Sequence, residues 1–257
     1  MSEYKLIQYA IAGGLATLTL DRPPYNVLDI PMMDELNHAL ERCAESADIK
    51  LLLITGAGEK AFSAGVEVAD HTPDRMDRMI EAFHGIFRRL EAISIPTLAA
   101  VNGVALGGGC ELVLACDMVV AVAGAKFGQP EIKLGVFPPV AAVLLPRLLP
   151  AAKAMELLLG GNSVEAGEAH ALGLVNKVLP REGFAAGCKA FADQFLGLSR
   201  VALVCTKKAV REAHGKSFSA ALDAAEGIYL NELMASADAK EGLDAFLGKR
   251  KPVWQNK

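Results

Sequence analysis

Three consecutive glycines, Gly107 to Gly109, place the tightest constraint on how this chain can fold. The apolar segment before them, 96–106, predicts a buried strand, and the segment from Cys110 predicts the start of a helix. Glycine permits a left-handed backbone and a close approach to a ligand, and the first amides of a helix have no intrahelical partner. The stretch therefore predicts a site for a negatively charged oxygen, either a bound anion or an oxyanion formed during a reaction.

Glu111 falls in the first turn of the predicted helix, beside the glycines. A helix N-terminus favours the ionised form of a carboxyl group, so Glu111 is expected to suit the role of a base more than that of an acid. The alternative is a packing turn that carries a surface glutamate, and this stretch alone is compatible with both interpretations.

The composition bounds the class of protein. A chain of 257 residues with 52 % hydrophobic content can build a large core, as one domain or one domain plus an appendage. No apolar run approaches the roughly 20 residues of a membrane helix, and the first residues do not read as a signal peptide. Five cysteines without a CxxC pair fit free thiols in a reducing cytoplasm. A net charge of −4 with no basic block argues against a nucleic-acid partner.

The first half of the chain reads as alternating strands and helices. Residues 4–20 alternate around two glycines and predict a β-hairpin, and the short apolar run 50–55 predicts a buried strand. A helix is predicted over 79–90. The charged segment 70–78 is expected to be exposed or mobile.

The second half becomes helical. The apolar run 140–149 predicts a buried helix, and 164–173 predicts an amphipathic one. After Pro180 the pattern is almost wholly helical. These features predict an α/β core over 1–195 and a helical C-terminal region over 196–257.

A second glutamate, Glu131, stands in the segment Phe-Gly-Gln-Pro-Glu at 127–131, where Pro130 fixes the backbone just before it. Together with Ala-Gly-Val at 64–66 and the block 102–112, this segment resembles the crotonase (enoyl-CoA hydratase/isomerase) superfamily. The resemblance covers essentially the whole chain. It implies an α/β fold with a ββα spiral core and a helical C-terminal region that makes trimer contacts, in a homotrimer or a homohexamer.

The resemblance also implies roles for four residues. The backbone amides of Val66 and Gly108 would form an oxyanion hole for the enolate that develops on a thioester oxygen. Glu111 and Glu131 would hold a water molecule and move its proton, with Glu111 as base and Glu131 as acid. Close carboxyls in an apolar pocket can divide these tasks because their pKa values move apart.

Coenzyme A would enter as part of the substrate, with no separate cofactor and no metal. Many members of the family have a lysine after the loop that contains residues 64–66. Here Ala69 stands in its place, which leaves one contact with the nucleotide of coenzyme A in question. The residues implied in binding coenzyme A or substrate are Pro24, Tyr25, Asn26, Ala64, Glu67, Val68, Pro138, Phe246 and Lys249. For Lys249, the alternative interpretation is that it belongs to a solvated tail.

The turn after Gly135 departs from the ordinary hydratase pattern. Where a glycine-rich turn is usual, this chain has a stiff, apolar stretch that contains Pro138 and Pro139. Such a turn next to Glu131 predicts an apolar acyl pocket suited to a hydrocarbon ring or chain. This stretch resembles the dienoyl-CoA hydratase branch of anaerobic benzoyl-CoA degradation, which hydrates cyclohexa-1,5-diene-1-carbonyl-CoA to 6-hydroxycyclohex-1-ene-1-carbonyl-CoA.

Several alternatives stay open at this stage. The same site could serve a straight-chain enoyl-CoA hydratase or a double-bond isomerase. Ser63 is a weak candidate for a hydrolytic nucleophile, since no GxSxG elbow surrounds it. A catalytically silent or RNA-binding relative is a further class. His71 and His84 are interpreted as surface histidines, because no spacing ties them to the glutamates, and Cys110 as a buried, inert thiol.

Overall fold

Two β-sheets organise the computed structural model, which describes residues 4–257. The larger sheet has six strands in the order β1-β2-β3-β5-β7-β10, and the smaller has four in the order β4-β6-β8-β9. Among the strand pairs within residues 4–257, β1–β2 and β8–β9 are antiparallel and the others are parallel. The strands are β1 (Ile7–Ala12), β2 (Leu15–Leu20), β3 (Leu51–Gly56), β4 (Ala61–Ser63), β5 (Thr97–Val101), β6 (Val104–Leu106), β7 (Met118–Val122), β8 (Lys126–Gly128), β9 (Ser163–Glu165) and β10 (Lys177–Leu179).

A helix follows each of the first four pairs of consecutive strands along the chain. Helices α1 and α2 pack against each other, and their apolar sides join the main core. The helices are α1 (Ile30–Glu45), α2 (Met76–Ala92), α3 (Gly108–Leu114), α4 (Pro139–Leu148), α5 (Ala151–Gly160), α6 (Ala166–Ala171), α7 (Phe184–Leu196), α8 (Arg200–Ala213), α9 (Phe218–Ile228) and α10 (Ala237–Leu247). Short 3-10 turns cover Val68–Asp70 and Pro130–Leu134, and a π-helical turn covers Tyr229–Leu233.

The middle of the larger sheet is buried on both faces, which explains the continuous apolar run of strand β3. Leu52 and Ile54 face the core that contains helices α1 and α2, whereas Leu51 and Leu53 face helix α7. The hairpin and the strand predicted at 50–55 are therefore confirmed.

The apolar segment 96–106 is two strands in two different sheets, not one strand as predicted. Strand β5 ends at Val101, and β6 begins at Val104 in the smaller sheet. The side chain of Asn102 donates to Gly58 O at 2.7 Å, and a Cβ on Gly103 would lie only 2.3 Å from Lys60 O. This crossing places β6 between β4 and β8, so that the glycines that follow β6 lie at the C-terminal end of the parallel strands of the smaller sheet.

Two helical predictions need correction. Residues 164–173 contain the end of strand β9 followed by the short helix α6, because Phe127 pairs with Val164 across the sheet. Helix α4 exists where it was predicted, but only Ala141 and Leu145 of it are buried. Its other apolar side chains are partly or fully exposed and do not belong to the buried core.

The segment 70–78 is anchored at its start, contrary to the expectation for the whole segment. Asp70 is 1 % exposed; it forms an ion pair with Arg75 at 2.8 Å and accepts the Ile30 amide at 3.0 Å. Helix α2 then begins at Met76. Residues 71–75 are exposed as expected, so a buried carboxylate fixes a segment whose other side chains face solvent.

The C-terminal tail folds back on the last helices through one buried aspartate. Asp238 accepts hydrogen bonds from the Ser199 hydroxyl at 2.6 Å and from the Gln255 amide at 2.7 Å, and it also accepts the Asn256 amide. Trp254 donates from its indole to Gly197 O at 2.8 Å. After residue 184 the described elements are all helical, while the division of the chain at 195/196 stays a prediction.

We expect Asp238→Ala to lower the free energy of unfolding by about 2–3 kcal/mol, because it leaves buried donors of the tail and of Ser199 without an acceptor. Denaturant unfolding followed by the fluorescence of Trp254, the single tryptophan of the chain, would measure this at a fixed protein concentration. The exposed Asp223 offers a control, since Asp223→Ala should change stability by less than about 0.5 kcal/mol. Equal effects of the two changes would contradict the prediction.

Candidate active site

The three glycines join strand β6 to helix α3, as the sequence predicted. Gly107 has φ +52°, and its amide donates to Gly128 O at 2.9 Å. A Cβ on Gly109 would lie 2.4 Å from Ser63 O. The turn needs glycine at these positions because one adopts a left-handed conformation and the other has backbone against its α-carbon.

The loop after strand β4 lies against this turn and carries Val66. Val66 pairs with Leu28 in an isolated parallel bridge. The hydrogen bonds of the bridge run from Leu28 N–H to Gly65 O and from Glu67 N–H to Leu28 O, both at 2.9 Å. In this pattern the amide of Val66 itself faces away from Leu28. A Cβ on Gly108 would lie 2.7 Å from Val66 Cγ2, so the two predicted amide-bearing residues are neighbours.

Glu111 is buried on helix α3, with 2 % of its surface exposed. Its Oε1 accepts the amide of Ala141, at the start of helix α4, at 2.8 Å. Burial raises the pKa of Glu111 to about 7; the Ala141 amide opposes that rise, and the charge of Glu131 adds to it. The helix end therefore does not keep the pKa of Glu111 at its ordinary value, because desolvation outweighs the field of a seven-residue helix. A pKa of about 7 leaves both the ionised and the protonated form accessible near neutral pH.

Glu131 reaches the same turn from the opposite side. It sits in the 3-10 turn that follows strand β8, and a Cβ on Gly107 would lie 2.5 Å from Glu131 Oε1. Burial raises the pKa of Glu131, while a hydrogen bond from its own amide and the charge of His71 lower it. Its Oε2 is buried and has no hydrogen-bond partner within residues 4–257. That oxygen is free to bind a water molecule or a substrate atom.

Gln129 is a polar site residue to which the sequence analysis gave no role. It is 1 % exposed, and neither its amide oxygen nor its amide nitrogen finds a partner in the described part of the chain. Buried amides are normally hydrogen-bonded, so this one is a candidate to bind a polar group in the site. The sequence feature that could have pointed to this residue is a polar glutamine between Gly128 and Pro130, next to Glu131.

His71 lies at the surface as interpreted, whereas His84 does not. His71 is exposed, but its Nδ1 lies 3.0 Å from Glu67 O and its charge acts on Glu131. His84 is half-buried, burial lowers its pKa, and its Nε2 has no partner among the residues described. It lines a cavity of about 830 Å³ together with Val140 and Leu114. The turn at Val68–Asp70, which folds the chain back beside the site, has no clear sequence signal.

The first loop expected to bind coenzyme A divides into exposed and structural residues. Pro24 and Tyr25 are exposed, and the carbonyl of Tyr25 accepts the Ala64 amide at 2.9 Å. Asn26 is fully buried, and its side chain donates to Ala57 O and Ala61 O at 3.0 and 2.9 Å. Its side chain therefore ties the loops together, which corrects the expected contact with coenzyme A.

The other residues implied in binding lie in three places. Half-buried Glu67, held 3.6 Å from Arg22, and exposed Val68 follow Val66 directly. Pro138 is buried and immediately precedes helix α4.

Phe246 and Lys249 are exposed at the end of helix α10, which packs against helix α8. The structure thus brings Val66 to the glycine turn, with Glu67 and Val68 next along the chain, while Phe246 and Lys249 belong to a different element.

Ser63 does not fit a hydrolytic nucleophile, because it is fully buried and its Oγ accepts the Gly65 amide at 3.2 Å. The five cysteines are free thiols. Within residues 4–257, no group of three or more metal-binding side chains comes together. None of the described helices combines the length and the apolar character needed to cross a membrane.

The family model described as enoyl-CoA hydratase/isomerase matches residues 10–257. The chain belongs to the enoyl-CoA hydratase/isomerase family. This confirms the crotonase resemblance inferred from the two glycine loops and the two glutamates, and it makes the chain an enzyme of the hydratase/isomerase class.

Relatives of known name support the same assignment. The chain is 38 % identical over 245 residues to cyclohexa-1,5-dienecarbonyl-CoA hydratase of Thauera aromatica, covering 95 % of this chain and 94 % of the relative. It is 37 % identical over 244 residues to crotonyl-CoA hydratase of Syntrophomonas wolfei, covering 92 % and 93 %.

Solved structures confirm the spiral fold. A crystal structure of an enoyl-CoA hydratase from Bacillus anthracis superposes with a TM-score of 0.94 at 29 % identity, covering 98 % of this chain and all of the other. A second structure, from Geobacillus kaustophilus, has a TM-score of 0.92 at 34 % identity and covers both chains fully.

Gly107→Ala should reduce kcat for an enoyl-CoA substrate by about 100-fold or more, because its Cβ would displace the carboxyl of Glu131. Gly13→Ala is the matched control: Gly13 has nearly the same φ, +57°, but nothing within 4 Å of an added Cβ. Both glycines have a positive φ, and the contact with Glu131 is specific to Gly107. Steady-state kinetics on both would show it, and normal activity in Gly107→Ala would contradict the assigned contact.

Glu111→Gln should stabilise the protein at pH 8 more than at pH 4.5. Because the folded-state pKa of about 7 lies above the ordinary 4.5, the wild type loses stability as the pH rises through this window. The loss relative to glutamine should reach about 3 kcal/mol. Unfolding free energies of both proteins at the two pH values would measure it. Glu45→Gln, at an exposed position, should show no such change, and a pH-independent difference for Glu111→Gln would refute the buried-carboxyl argument.

Proposed function

We propose that this enzyme adds water to a conjugated acyl-CoA thioester, with cyclohexa-1,5-diene-1-carbonyl-CoA as substrate and 6-hydroxycyclohex-1-ene-1-carbonyl-CoA as product. The observation that carries the proposal is the pair of carboxyls on either side of the glycine turn, the buried Glu111 and the half-buried Glu131, whose Oε2 is itself buried. Water addition needs one group to take a proton and one to give it.

The amides of Val66 and Gly108 would stabilise the enolate. Water addition to the conjugated double bond moves negative charge onto the thioester oxygen. Val66 directs its amide away from the Leu28 bridge, and Gly108 begins helix α3 with its amide outside the intrahelical pattern. Removal of one such donor raises the barrier by ~3 kcal/mol. Main-chain donors suit this role because they do not titrate and the fold holds them in place.

Glu111 is the proposed base and Glu131 the proposed acid. The water oxygen forms a bond to the β-carbon of the conjugated double bond while its proton passes to ionised Glu111. Protonated Glu131 gives its proton to the distal carbon of the resulting dienolate, so that the remaining double bond stays conjugated with the thioester. The two carboxyls then exchange protonation states with solvent to restore the enzyme. Ala141 holds Glu111 in a single orientation, whereas the unpartnered Oε2 of Glu131 suits a group that must reach a substrate atom.

The acyl group is assigned from the apolar turn before helix α4. Pro138 is buried there, and the following residues present amides to Glu111, so the same segment would border both the base and the acyl group. The 38 % identity to the Thauera aromatica dienoyl-CoA hydratase supports a cyclic diene.

A straight-chain 2-enoyl-CoA hydratase is the second candidate, favoured by the 37 % identity to crotonyl-CoA hydratase. An enoyl-CoA isomerase is less favoured, because both glutamates are present. The proposed reaction belongs to the degradation of aromatic compounds through benzoyl-CoA in the cytoplasm.

Coenzyme A would be bound as part of the substrate, and the reaction needs no other cofactor because water is the co-substrate. Pro24, Tyr25, Ala64, Glu67 and Val68 surround the entrance formed by the first two loops in this proposal. Phe246 and Lys249, on a separate element, would reach the coenzyme A of a neighbouring subunit.

Large apolar side chains are exposed on helix α9 and the π-helical turn that follows it. Phe218 is 83 % exposed and Leu230 is 63 % exposed. Burial of such side chains between subunits is favourable, so they support a homotrimer or a pair of trimers.

The first test is substrate profiling. Purified protein should hydrate cyclohexa-1,5-diene-1-carbonyl-CoA with a kcat/KM at least about tenfold above that for crotonyl-CoA, since a shaped apolar pocket gains about 1–3 kcal/mol from a well-fitting hydrocarbon. Product analysis should give the 6-hydroxy compound.

Glu111→Gln and Glu131→Gln are the controls, and each should lose activity on both substrates. Faster turnover of crotonyl-CoA would assign a straight-chain hydratase and overturn the role given to the Pro138 turn. Rearrangement of a double bond without water uptake would assign an isomerase.

A further inference from the structure

A cavity of about 830 Å³ lies between helices α2, α3 and α4, with the end of helix α8 along one side. Its volume falls within the roughly 300–1,000 Å³ that is typical of small-molecule sites. Residues spaced three or four apart share one face of a helix, and the cavity is lined by such faces of α2 and α4. Helix α2 contributes His84, Phe87 and Arg88, and helix α4 contributes Val140, Leu144 and Arg147.

One end of the cavity borders the candidate active site. Val140 lines the cavity, and its amide donates to the carboxyl of Glu111. Leu114, which also lines the cavity, follows Glu111 by about one turn of helix α3. On helix α2, Phe83 directly precedes the first lining residue, and its ring lies 2.8 Å from a Cβ built on Gly108. The same three helices therefore border both the cavity and the site.

Two arginines of the cavity have no counter-ion. Within residues 4–257, neither Arg88 nor Arg147 forms an ion pair or a side-chain hydrogen bond. The third arginine, Arg211, is held by Asp117 at 3.4 Å and by a backbone carbonyl at 3.3 Å. With the histidines neutral, three arginines face Asp117 and Glu91, so the lining carries a net charge of +1. An excess of positive charge in a cleft attracts an anion.

His84, in the wall of the cavity, has a buried polar atom without a partner. Its Nε2 forms no hydrogen bond in the part of the chain that the structure describes, although buried polar atoms are normally hydrogen-bonded. Burial, followed by the charge of Arg88, lowers the pKa of His84, so the neutral ring prevails near pH 7. A neutral imidazole can give or accept one hydrogen bond at Nε2 without adding a further charge.

We propose that the cavity binds the carboxylate end of an organic acid that has a hydrocarbon body. Arg88 and Arg147 pair with the carboxylate, whose two oxygens match the forked donors of guanidinium groups, and Nε2 of His84 adds a hydrogen bond. The hydrocarbon body lies against Phe87 and Leu144. An inorganic anion fits less well, because it would leave the apolar part of the wall without a contact. The inference goes beyond the hydration proposed above, since the ring of the proposed diene carries no charge.

Two kinds of molecule carry such a group. One is a free organic acid, which would bind beside the active site independently of the reaction. The other is an acyl-CoA whose chain ends in a second carboxylate and would pass from Glu111 between Leu114 and Val140. Arg147 follows Val140 at a distance of ~10 Å along helix α4, so this chain must extend well past the reacting carbons. Only the second source rests on the function proposed above.

The first experiment measures the binding of hexanoate by ligand-observed NMR, with hexanamide as the uncharged analogue. Wild-type protein should bind hexanoate at least about tenfold more tightly than hexanamide. Arg88→Gln and Arg147→Gln should each weaken hexanoate binding by about tenfold, the effect of losing one charge-assisted hydrogen bond. His84→Phe keeps an aromatic ring and removes Nε2, so it should weaken hexanoate binding by about threefold.

Arg78→Gln is the matched control for the two arginine variants. Arg78 lies near the start of the same helix α2, outside the cavity, and forms a surface ion pair with Asp34 at 2.5 Å. Its replacement removes one positive charge from the helix and should leave hexanoate binding unchanged.

The second experiment identifies the source of the carboxylate. Rates are compared for the CoA monothioesters of oct-2-enedioic acid and oct-2-enoic acid, which differ only at the charged end. A kcat/KM preference for the octenedioyl ester that falls about tenfold in Arg88→Gln and Arg147→Gln would assign the carboxylate to the far end of a substrate. Equal dependence of both esters on the arginines, with hexanoate still bound through them, would assign it to a free acid.

The inference is overturned if the two arginine variants change neither hexanoate binding nor the preference between the two esters. The NMR measurement needs no turnover. A protein that hydrates neither ester and still binds hexanoate through Arg88 and Arg147 would reject the proposed hydration and leave the carboxylate site standing.

Discussion

The close packing of the glycine turn is the constraint on which the site depends. Four residues occupy the space where side chains would otherwise stand: the Glu131 carboxyl at Gly107, Val66 and Phe83 at Gly108, and the carbonyl of Ser63 at Gly109. The loop after strand β4, helix α2, strand β4 itself and the 3-10 turn that carries Glu131 therefore meet at one short stretch of backbone. Since interiors tolerate little change in volume, the fold holds the amides and both carboxyls in register by contact instead of by flexible side chains.

The crossing between the sheets explains why these neighbours meet. Asn102 and Gly103 move the chain from the larger sheet to the smaller one, and strand β6 then lies between β4 and β8. The loop after β4, the turn after β6 and the 3-10 turn after β8 all leave the same edge of a parallel array. The three loops are distant in sequence, and they are adjacent in space because they follow neighbouring parallel strands.

Much of this could be predicted from the sequence, for identifiable reasons. The glycine triplet and Glu111 have a local signal, because strand, turn and helix follow one another directly. The position of Glu131 opposite Gly107 needed the family resemblance, since it depends on a pairing between β6 and β8. The burial of Asp70 and the structural use of Asn26 were missed because they depend on partners 31 to 40 residues away. The raised pKa of Glu111 was missed because desolvation is a property of the packed core.

Glu111 is held by a main-chain amide, and this has a consequence for how the family can diversify. The residues that supply amides to Glu111, Val140 and Ala141, belong to the same stretch whose side chains begin helix α4. A substitution in this stretch replaces a side chain and leaves the peptide N–H in place. With the roles proposed above, the preference for one acyl group over another would drift through mutation while the proposed proton-transfer group keeps its partner, so that substrate choice and acid–base chemistry would be inherited as separable traits.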